Sequence, residues 1–327
     1  MNSPGYFWKR WHPVALLLFP LSILMRVVVF FRRFAYRLRL LPVYHSPVPV
    51  IVIGNLTVGG TGKTPLVIWL CNHLHSLGYS PGVVIRGYGG KATRWPQQVR
   101  ADSDPQVVGD EAVVIAEQTG CQVCASPNRA DAARALLEHA ACDVIISDDG
   151  LQHYALGRDI EIVVIDGKRR FGNGMLLPAG PLREGVKRLR HVDFVIVNGH
   201  CRENEHCMRL ESGQLVNLAS GETAPLEDFS GQRVHLVSGL GNPQRFIDML
   251  HEAGLETELH LFADHHEYSR EYLAFDDDMP VIMTAKDAVK IRPFADRRCW
   301  YLALGVRPPA DVINQVVTAL KMKENNG

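Results

Sequence analysis

Along most of this chain, short β-branched runs alternate with stretches in which apolar residues recur every three or four positions. The runs lie at 48–53, 83–85, 123–125, 144–146, 160–165 and 194–197. Their near-continuous apolar content is what strands buried on both faces require. Helical spacing fills 65–77, 111–118 and 128–139 between them. The alternation predicts an α/β fold, a largely parallel sheet with helices on both faces. From 201 to 230 the chain turns polar and glycine-rich, as a linker or short hairpin does. A second series then predicts strands near 234–237, 258–262, 281–283 and 300–304, with helices near 244–251 and 311–322. It reads as a second, smaller α/β domain.

The first forty residues break this pattern. Val14 to Phe31 is apolar apart from Pro20, Ser22 and Arg26. Tyr6, Phe7, Trp8 and Trp11 mark one edge, and Arg32, Arg33, Arg37 and Arg39 the other. With Lys9, Arg10 and Arg26, the segment is wholly basic, without a single acidic residue. A membrane span needs about 20 mostly apolar residues, so this stretch is marginal for one. It has no small-residue cleavage signature. The pattern predicts an amphipathic helix lying in an anionic membrane surface, with a packed core helix and a true span as alternatives.

The richest local signal is residues 54–65, Gly-Asn-Leu-Thr-Val-Gly-Gly-Thr-Gly-Lys-Thr-Pro. A strand-like run precedes it and a helical pattern follows, the context of a phosphate-binding loop, or P-loop. Thr57, Val58, Gly59, Gly60, Thr61 and Gly62 would offer backbone N–H groups to a polyphosphate. The helix N-terminus adds partial positive charge. Lys63 would reach the β- and γ-phosphates, and Thr64 would offer its hydroxyl to Mg²⁺. The usual pattern wants glycine six residues before the lysine, where this chain has Thr57. A glycine-rich turn that binds nothing is the plain alternative, and the flanking strand and helix argue against it. These features predict ATP and Mg²⁺ as cofactors.

Asp148 and Asp149 end the run 144–146 and form a Walker-B-like acidic end suited to Mg²⁺, against the plain reading of an Asp-Asp-Gly turn. Asp110, in Gly109-Asp110-Glu111, opens a predicted helix and would serve equally as its N-cap. Asp264-His265-His266 suggests proton or metal chemistry on a loop, or a solvated loop. Arg183 begins a basic stretch with Lys187, Arg188 and Arg190, which suits phosphate recognition or a solvated face. Lys+Arg and Asp+Glu are both 35, so nothing draws the whole chain to nucleic acid. The seven cysteines form no disulfide framework, which suits a reducing compartment. Cys121-x-x-Cys124 has metal spacing but lies in a strand, and His200-Cys201 with His206-Cys207 falls in the polar linker.

Nine fragments taken in order resemble one family. They are the loop 54–65, Arg86-Gly-Tyr-Gly-Gly90, Gly109-Asp-Glu111, Asp148-Asp-Gly-Leu-Gln-His153, Asp166-Gly167, Phe171-Gly-Asn-Gly174, Leu177-Pro-Ala-Gly-Pro-Leu-Arg-Glu184, Asp264-His265 and Thr284-Ala-Lys-Asp-Ala-Val-Lys290. Together they resemble the tetraacyldisaccharide 4′-kinases of lipid A biosynthesis, from the N-terminal helix almost to the C-terminus. The resemblance implies transfer of the γ-phosphate of ATP to the 4′-hydroxyl of a tetraacyldisaccharide 1-phosphate. It implies two α/β/α domains joined by a hairpin, working at the cytoplasmic face of the bacterial inner membrane, with no obligate protein partner evident. It casts Asp110 and His265 as a general-base pair, and Lys63 as the catalytic cation. It draws substrate contacts from Asn55, Tyr88, Glu111, Arg129, Gln152, Arg183 and Glu184. Lys286 becomes a nucleotide-side contact, while Ala285 departs from an acidic residue common there.

The domain ranges then read 1–40 for the membrane helix, 41–205 for the P-loop kinase domain, 206–230 for the linker or hairpin, and 231–327 for the C-terminal domain. Two rivals are a membrane-switch ATPase and a nucleotide-dependent metallochaperone. The first typically carries a lysine where this chain has Val58. The second would rest on the His and Cys pairs.

Overall fold

The computed structural model describes Trp8 and residues 12–241, 243–264 and 266–324. In chain order the elements are α1 (Pro13–Arg37), β1 (Val50–Gly54), α2 (Lys63–Ser76), β2 (Pro81–Ile85), β3 (Gln97–Val99), α3 (Pro105–Val108), α4 (Asp110–Thr119), β4 (Gln122–Ala125), α5 (Arg129–His139), β5 (Val144–Asp148), β6 (Ile160–Asp166), β7 (Phe194–Asn198), β8 (His206–Asn217), β9 (Thr223–Pro225), β10 (Arg233–Ser238), α6 (Gln244–Glu252), β11 (Glu256–Leu261), β12 (Val281–Thr284), α7 (Ala285–Ile291), β13 (Cys299–Arg307) and α8 (Ala310–Glu324).

The strands form one sheet in the order β11-β10-β12-β13-β8-β7-β6-β1-β5-β2-β4-β3, with β9 paired to β8. Strands β7, β6, β1, β5, β2 and β4 run parallel, and short β3 closes the edge antiparallel to β4. Strand β8 joins two halves: its first residues pair parallel with β7, and the rest antiparallel with β13. Beyond β13, strands β12, β10 and β11 are parallel again.

The β-branched runs became strands because both faces are covered. On one face Leu66, Leu70 and Leu74 of α2 and Val113 of α4 pack with Ile51, Ile53, Ile146 and Ile162. On the other, Ala132, Ala133 and Leu136 of α5 pack with Val50, Val52, Val84 and Ile145. Val312, Val316 and Leu320 of α8 join the first of these cores, and Lys323 Nζ lies 3.2 Å from Asp159. The last helix therefore returns to the first half of the sheet. The second half has its own cores, Val234, Leu236, Phe246 and Leu250 on one face and Val237, Met283, Ala288 and Ile291 on the other.

Pro20 does not interrupt α1, which is one 25-residue helix and, among the described residues, the one long and apolar enough to cross a membrane. It lies along the first half of the sheet by a narrow stripe. Ser22 Oγ donates to the Leu176 carbonyl at 2.8 Å, Met25 and Val29 pack near Leu56, Leu151 and Leu182, and Tyr36 meets Tyr154. The remaining faces expose Leu17, Leu24, Phe30 and Phe31.

Candidate active site

Strand β1 sits between β5 and β6, so its C-terminal end opens where a parallel sheet receives ligands. The loop that leaves it is held rigidly. The fully buried Asn55 amide donates to the Gly59 carbonyl and to Thr61 Oγ1. Val58 N–H donates to Pro181 O at 2.9 Å, Asn198 Nδ2 donates to Thr61 O at 2.9 Å, and the Arg169 guanidinium donates to Gly60 O. Gly62 has φ +90°, and a Cβ there would come within 2.2 Å of Asn198 Nδ2. Only glycine lets the loop turn into α2 at that point. The α2 N-terminus carries no side-chain cap, and the first N–H groups of a helix have no intrahelical acceptor.

Lys63 and Thr64 open α2 opposite the two aspartates at the end of β5. Thr64 Oγ1 donates to Asp148 Oδ2 at 3.2 Å. Asp148 Oδ1 is buried with no hydrogen-bond partner. Burial, then the nearby Glu111 carboxylate, pushes the Asp148 carboxyl up to about 6. Asp149 is the opposite case. Arg183 Nη1 donates to both its oxygens at 2.8 and 2.7 Å, and Lys63 Nζ lies 3.5 Å away. Burial alone would raise Asp149 too, but the Lys63 ammonium and the Arg183 guanidinium hold it well below the usual carboxylate range.

A second charged seam joins the halves of the molecule. Helix α4 begins after Gly109, whose φ of +92° places that glycine, not Asp110, at the N-cap. Asp110 is the first helical residue, buried, with Oδ1 accepting from Glu111 N–H at 2.8 Å. Its Oδ2 lies 3.8 Å from Lys290 Nζ on α7. Glu111 pairs with Lys286 of α7, and Lys91 with Glu267. Burial alone would lower Lys286, but Glu111 and then Asp110 hold its ammonium above the usual lysine range, with Asp264 adding to the same field. A cavity of about 30 Å³ opens here, with Asp110, Lys290, Lys91 and Glu267 among its lining residues.

The residues named from the sequence thus fall into separate places. Lys63, Thr64, Asp148, Asp149 and Arg183 converge. Arg129 is buried, with Nη1 on Ser126 O at 2.9 Å and Nη2 on Asp148 O at 3.2 Å, so its donors tie the ends of β4 and β5 together. Burial lowers it to about 10, still charged at neutral pH. Gln152 donates to Asn55 O at 3.1 Å and supports the loop from behind. Glu184 is buried beneath α1, accepting from Tyr154 OH at 2.6 Å, with Arg33 at 3.8 Å. Tyr88 is mostly exposed under the Arg86 guanidinium. His265 lies outside the described residues, while the neighbouring His266 ring stacks on Phe262 and meets Tyr268 and Tyr272 edge-on.

Four contributors escaped sequence reading. Arg245 of α6 donates to Asn198 Oδ1 at 3.0 Å, and Asn198 in turn holds the loop through Thr61. Arg169 has no local signature either. Lys290 had one: it follows Lys286 by four residues and so shares its helix face. The cysteine expectation needs correction. Cys201 and Cys207 are joined by a disulfide across the turn between β7 and β8, where 201 and 207 are brought together by strand pairing rather than by spacing. Cys121 and Cys124 are free thiols buried around β4.

Comparison with known proteins agrees with this geometry. The family described as tetraacyldisaccharide-1-P 4′-kinase, LpxK, matches residues 14–321. A tetraacyldisaccharide 4′-kinase of Nitrosococcus oceani is 50% identical over 315 residues, covering 96% of this chain and 93% of its own length. One from Pseudomonas fluorescens Pf0-1 is 48% identical over 304 residues, covering 92% and 90%. A crystal structure of LpxK from Aquifex aeolicus in complex with ATP superposes with a TM-score of 0.80 at 27% identity, covering 94% of this chain and 99% of that one.

Proposed function

This chain belongs to the tetraacyldisaccharide 4′-kinase family, and from that premise we propose that it transfers the γ-phosphate of ATP to the 4′-hydroxyl of a tetraacyldisaccharide 1-phosphate in lipid A biosynthesis. Family membership decides against the membrane-switch and metallochaperone readings. The observation that carries the donor site is the uncapped start of α2, with Lys63 and Thr64 facing Asp148 and Asp149 at the end of the sheet. Backbone N–H groups of residues 59–64 receive the phosphates, whereas Val58 N–H, expected from the sequence to join them, is taken by Pro181 O; Lys63 offsets charge on the transferring group. Thr64 and Asp148 offer hard oxygen donors, and the unpartnered Asp148 Oδ1 is the kind of atom a bound cation satisfies. Mg²⁺ held there would neutralise charge on the phosphate oxygens. Asp149 is already engaged by two cations, and its part is to hold Lys63 and Arg183 in place.

The acceptor oxygen attacks the γ-phosphorus, the bond to the bridging oxygen breaks, and ADP leaves with that electron pair. The hydroxyl proton passes to a base, which we assign to Asp110 acting with His265. Asp110 is suited by its place at the head of α4, beside the cavity between the two halves. Because Lys286 and Lys290 of α7 occupy Glu111 and Asp110, substrate entry rearranges that seam, and closure restores it. Tyr88 and Arg183 line the approach, whereas Asn55, Arg129, Gln152 and Glu184 act by bracing it.

The apolar flank of α1, with exposed Arg26, Arg32, Arg37 and Arg39, fits docking on the anionic cytoplasmic face of the inner membrane. Each such arginine contributes about 1 kcal/mol at an anionic surface. Replacing Arg32, Arg37 and Arg39 with Gln should weaken sedimentation with anionic vesicles, and unchanged, salt-insensitive binding would favour a span. The function itself is tested by incubating the purified protein in detergent with ATP labelled at the γ-phosphate, Mg²⁺ and a tetraacyldisaccharide 1-phosphate. A labelled bisphosphorylated lipid is expected; a folded, ATP-binding protein that makes none would overturn the assignment.

A further inference from the structure

The outer edge of the second half carries a cluster that phosphoryl transfer does not use. Strands β10 and β11 pair in parallel with His235 opposite Glu258 and Val237 opposite His260. Glu258 and His260 are two residues apart, so they share the sheet face that His235 occupies. His235 Nδ1 lies 3.0 Å from His260 Nε2, and Glu258 Oε1 lies 3.9 Å from that same nitrogen. The candidate ligand atoms of all three residues lie within 4.8 Å of one another. In the sheet order, β12, β13, β8, β7 and β6 separate this cluster from β1 and the phosphate loop.

We propose that His235, His260 and Glu258 form a zinc-binding site that ties edge strand β11 to the sheet. Two imidazoles and a carboxylate are a donor set that borderline zinc accepts, with the fourth position left to water. Two nitrogens bound to tetrahedral zinc at about 2.0–2.1 Å stand roughly 3.4 Å apart, so the observed pair needs to open by only a few tenths of an ångström. Glu258 is 43% exposed, and a rotation of its side chain away from Arg233 brings it inward. The surroundings are built as metal sites are. His235 Nε2 faces the Asp277 carboxylate at 3.1 and 3.2 Å, which orients the ring and leaves Nδ1 as the lone-pair nitrogen. Phe275 stacks on His235 at 3.8 Å and lies 4.6 Å from His260, fixing both ring planes. His235 is 3% exposed and His260 25%, so one wall is fixed and the other admits an ion.

Without metal, the 3.0 Å contact is satisfied by His260 Nε2–H donating to His235 Nδ1. Zinc binding moves that ring proton to His260 Nδ1 through solvent, with no net proton change for two neutral rings. Arg233, 3.4 Å from Glu258, is an exposed competitor for the carboxylate.

The test uses the full chain in detergent, titrated with Zn²⁺ against a chromogenic chelator and separately with Co²⁺. One equivalent of zinc should bind and raise the melting temperature, and Co²⁺ should give visible bands of a nitrogen- and oxygen-ligated site. His260→Ala and Glu258→Gln should lose the tight equivalent while lipid phosphorylation stays unchanged. Asp277→Asn should weaken it about 10–100-fold, as loss of a ligand-orienting carboxylate does. Asp148→Asn and the Cys201→Ser/Cys207→Ser pair should bind zinc as the wild type does. No uptake by the wild type, equal uptake by His260→Ala, or a thiolate-to-cobalt charge-transfer band from the cysteines would each overturn the proposal.

Discussion

The phosphate-loop end of the sheet and the seam between α4 and α7 both gather opposite charges, but they balance them differently. At the seam, each acid has a cation: Glu111 has Lys286, and Asp110 has Lys290. At the loop, the balance is deliberately incomplete. Asp149 holds two cations, while Asp148 next to it has only a hydroxyl and one oxygen with no partner. A buried carboxylate left so is costly unless something charged completes it. On the proposed function, the loop end receives a cation and a polyphosphate, and the seam holds the two halves in register until a substrate replaces its internal pairs.

Removing charge from the side that awaits ligand should give the largest effect. Lys63→Ala should lower turnover about 10³-fold, because the lost charge acts where charge develops. Turnover within a few-fold of wild type would erase the distinction between the two regions. The next effect belongs to the proposed base. Asp110→Ala and His265→Ala should each cost about 10²-fold in turnover with ATP affinity retained. Their double variant should be little worse than the poorer single one, since a unit is lost only once. Multiplicative losses, read from steady-state kinetics, would separate them. The smallest effect is on stability. Glu111→Ala and Lys286→Ala, compared by chemical denaturation in a double-mutant cycle, should show a coupling of about 1 kcal/mol. A coupling near zero would mean that the seam is not held by this pair.

The same contrast explains what could be read along the chain. The loop end is nearly local: residues 54–64 are contiguous, and Asp148 and Asp149 follow a recognisable apolar run. Strands that bury both faces announce themselves by continuous Val and Ile, so β1, β5 and β6 were legible to within a residue or two. The seam is not local. Glu111 and Lys286 are 175 residues apart, and no spacing rule joins them. Asp110 read as a helix cap because acids favour that position, yet Gly109 takes it, since the chain enters α4 with positive φ. Cys201 and Cys207, beside His200 and His206 in a polar stretch, offered only a candidate metal pair, and β7–β8 pairing brought them together as a disulfide. Short β3 and α3 carry too few residues for any periodicity. The return of α8 to the first core is a tertiary choice that its own amphipathic pattern does not reveal. Pro20 looked like an interruption, but a helix lying on the surface of the domain tolerates it.

The central claim is that two adjacent aspartates have different jobs, one to complete a Mg²⁺ site and one to hold the cations that meet the phosphates. The direct measurement is the Mg²⁺ dependence of lipid phosphorylation for Asp148→Asn beside Asp149→Asn. Both changes keep the shape and remove the charge. Asp148→Asn should raise the half-saturating Mg²⁺ concentration about tenfold or more, because a charged hard-oxygen ligand is lost. Asp149→Asn should leave that concentration within about twofold and lower the maximal rate instead, as Lys63 and Arg183 lose their anchor. A larger shift in Mg²⁺ requirement for Asp149→Asn than for Asp148→Asn, or no shift in either, would contradict the account.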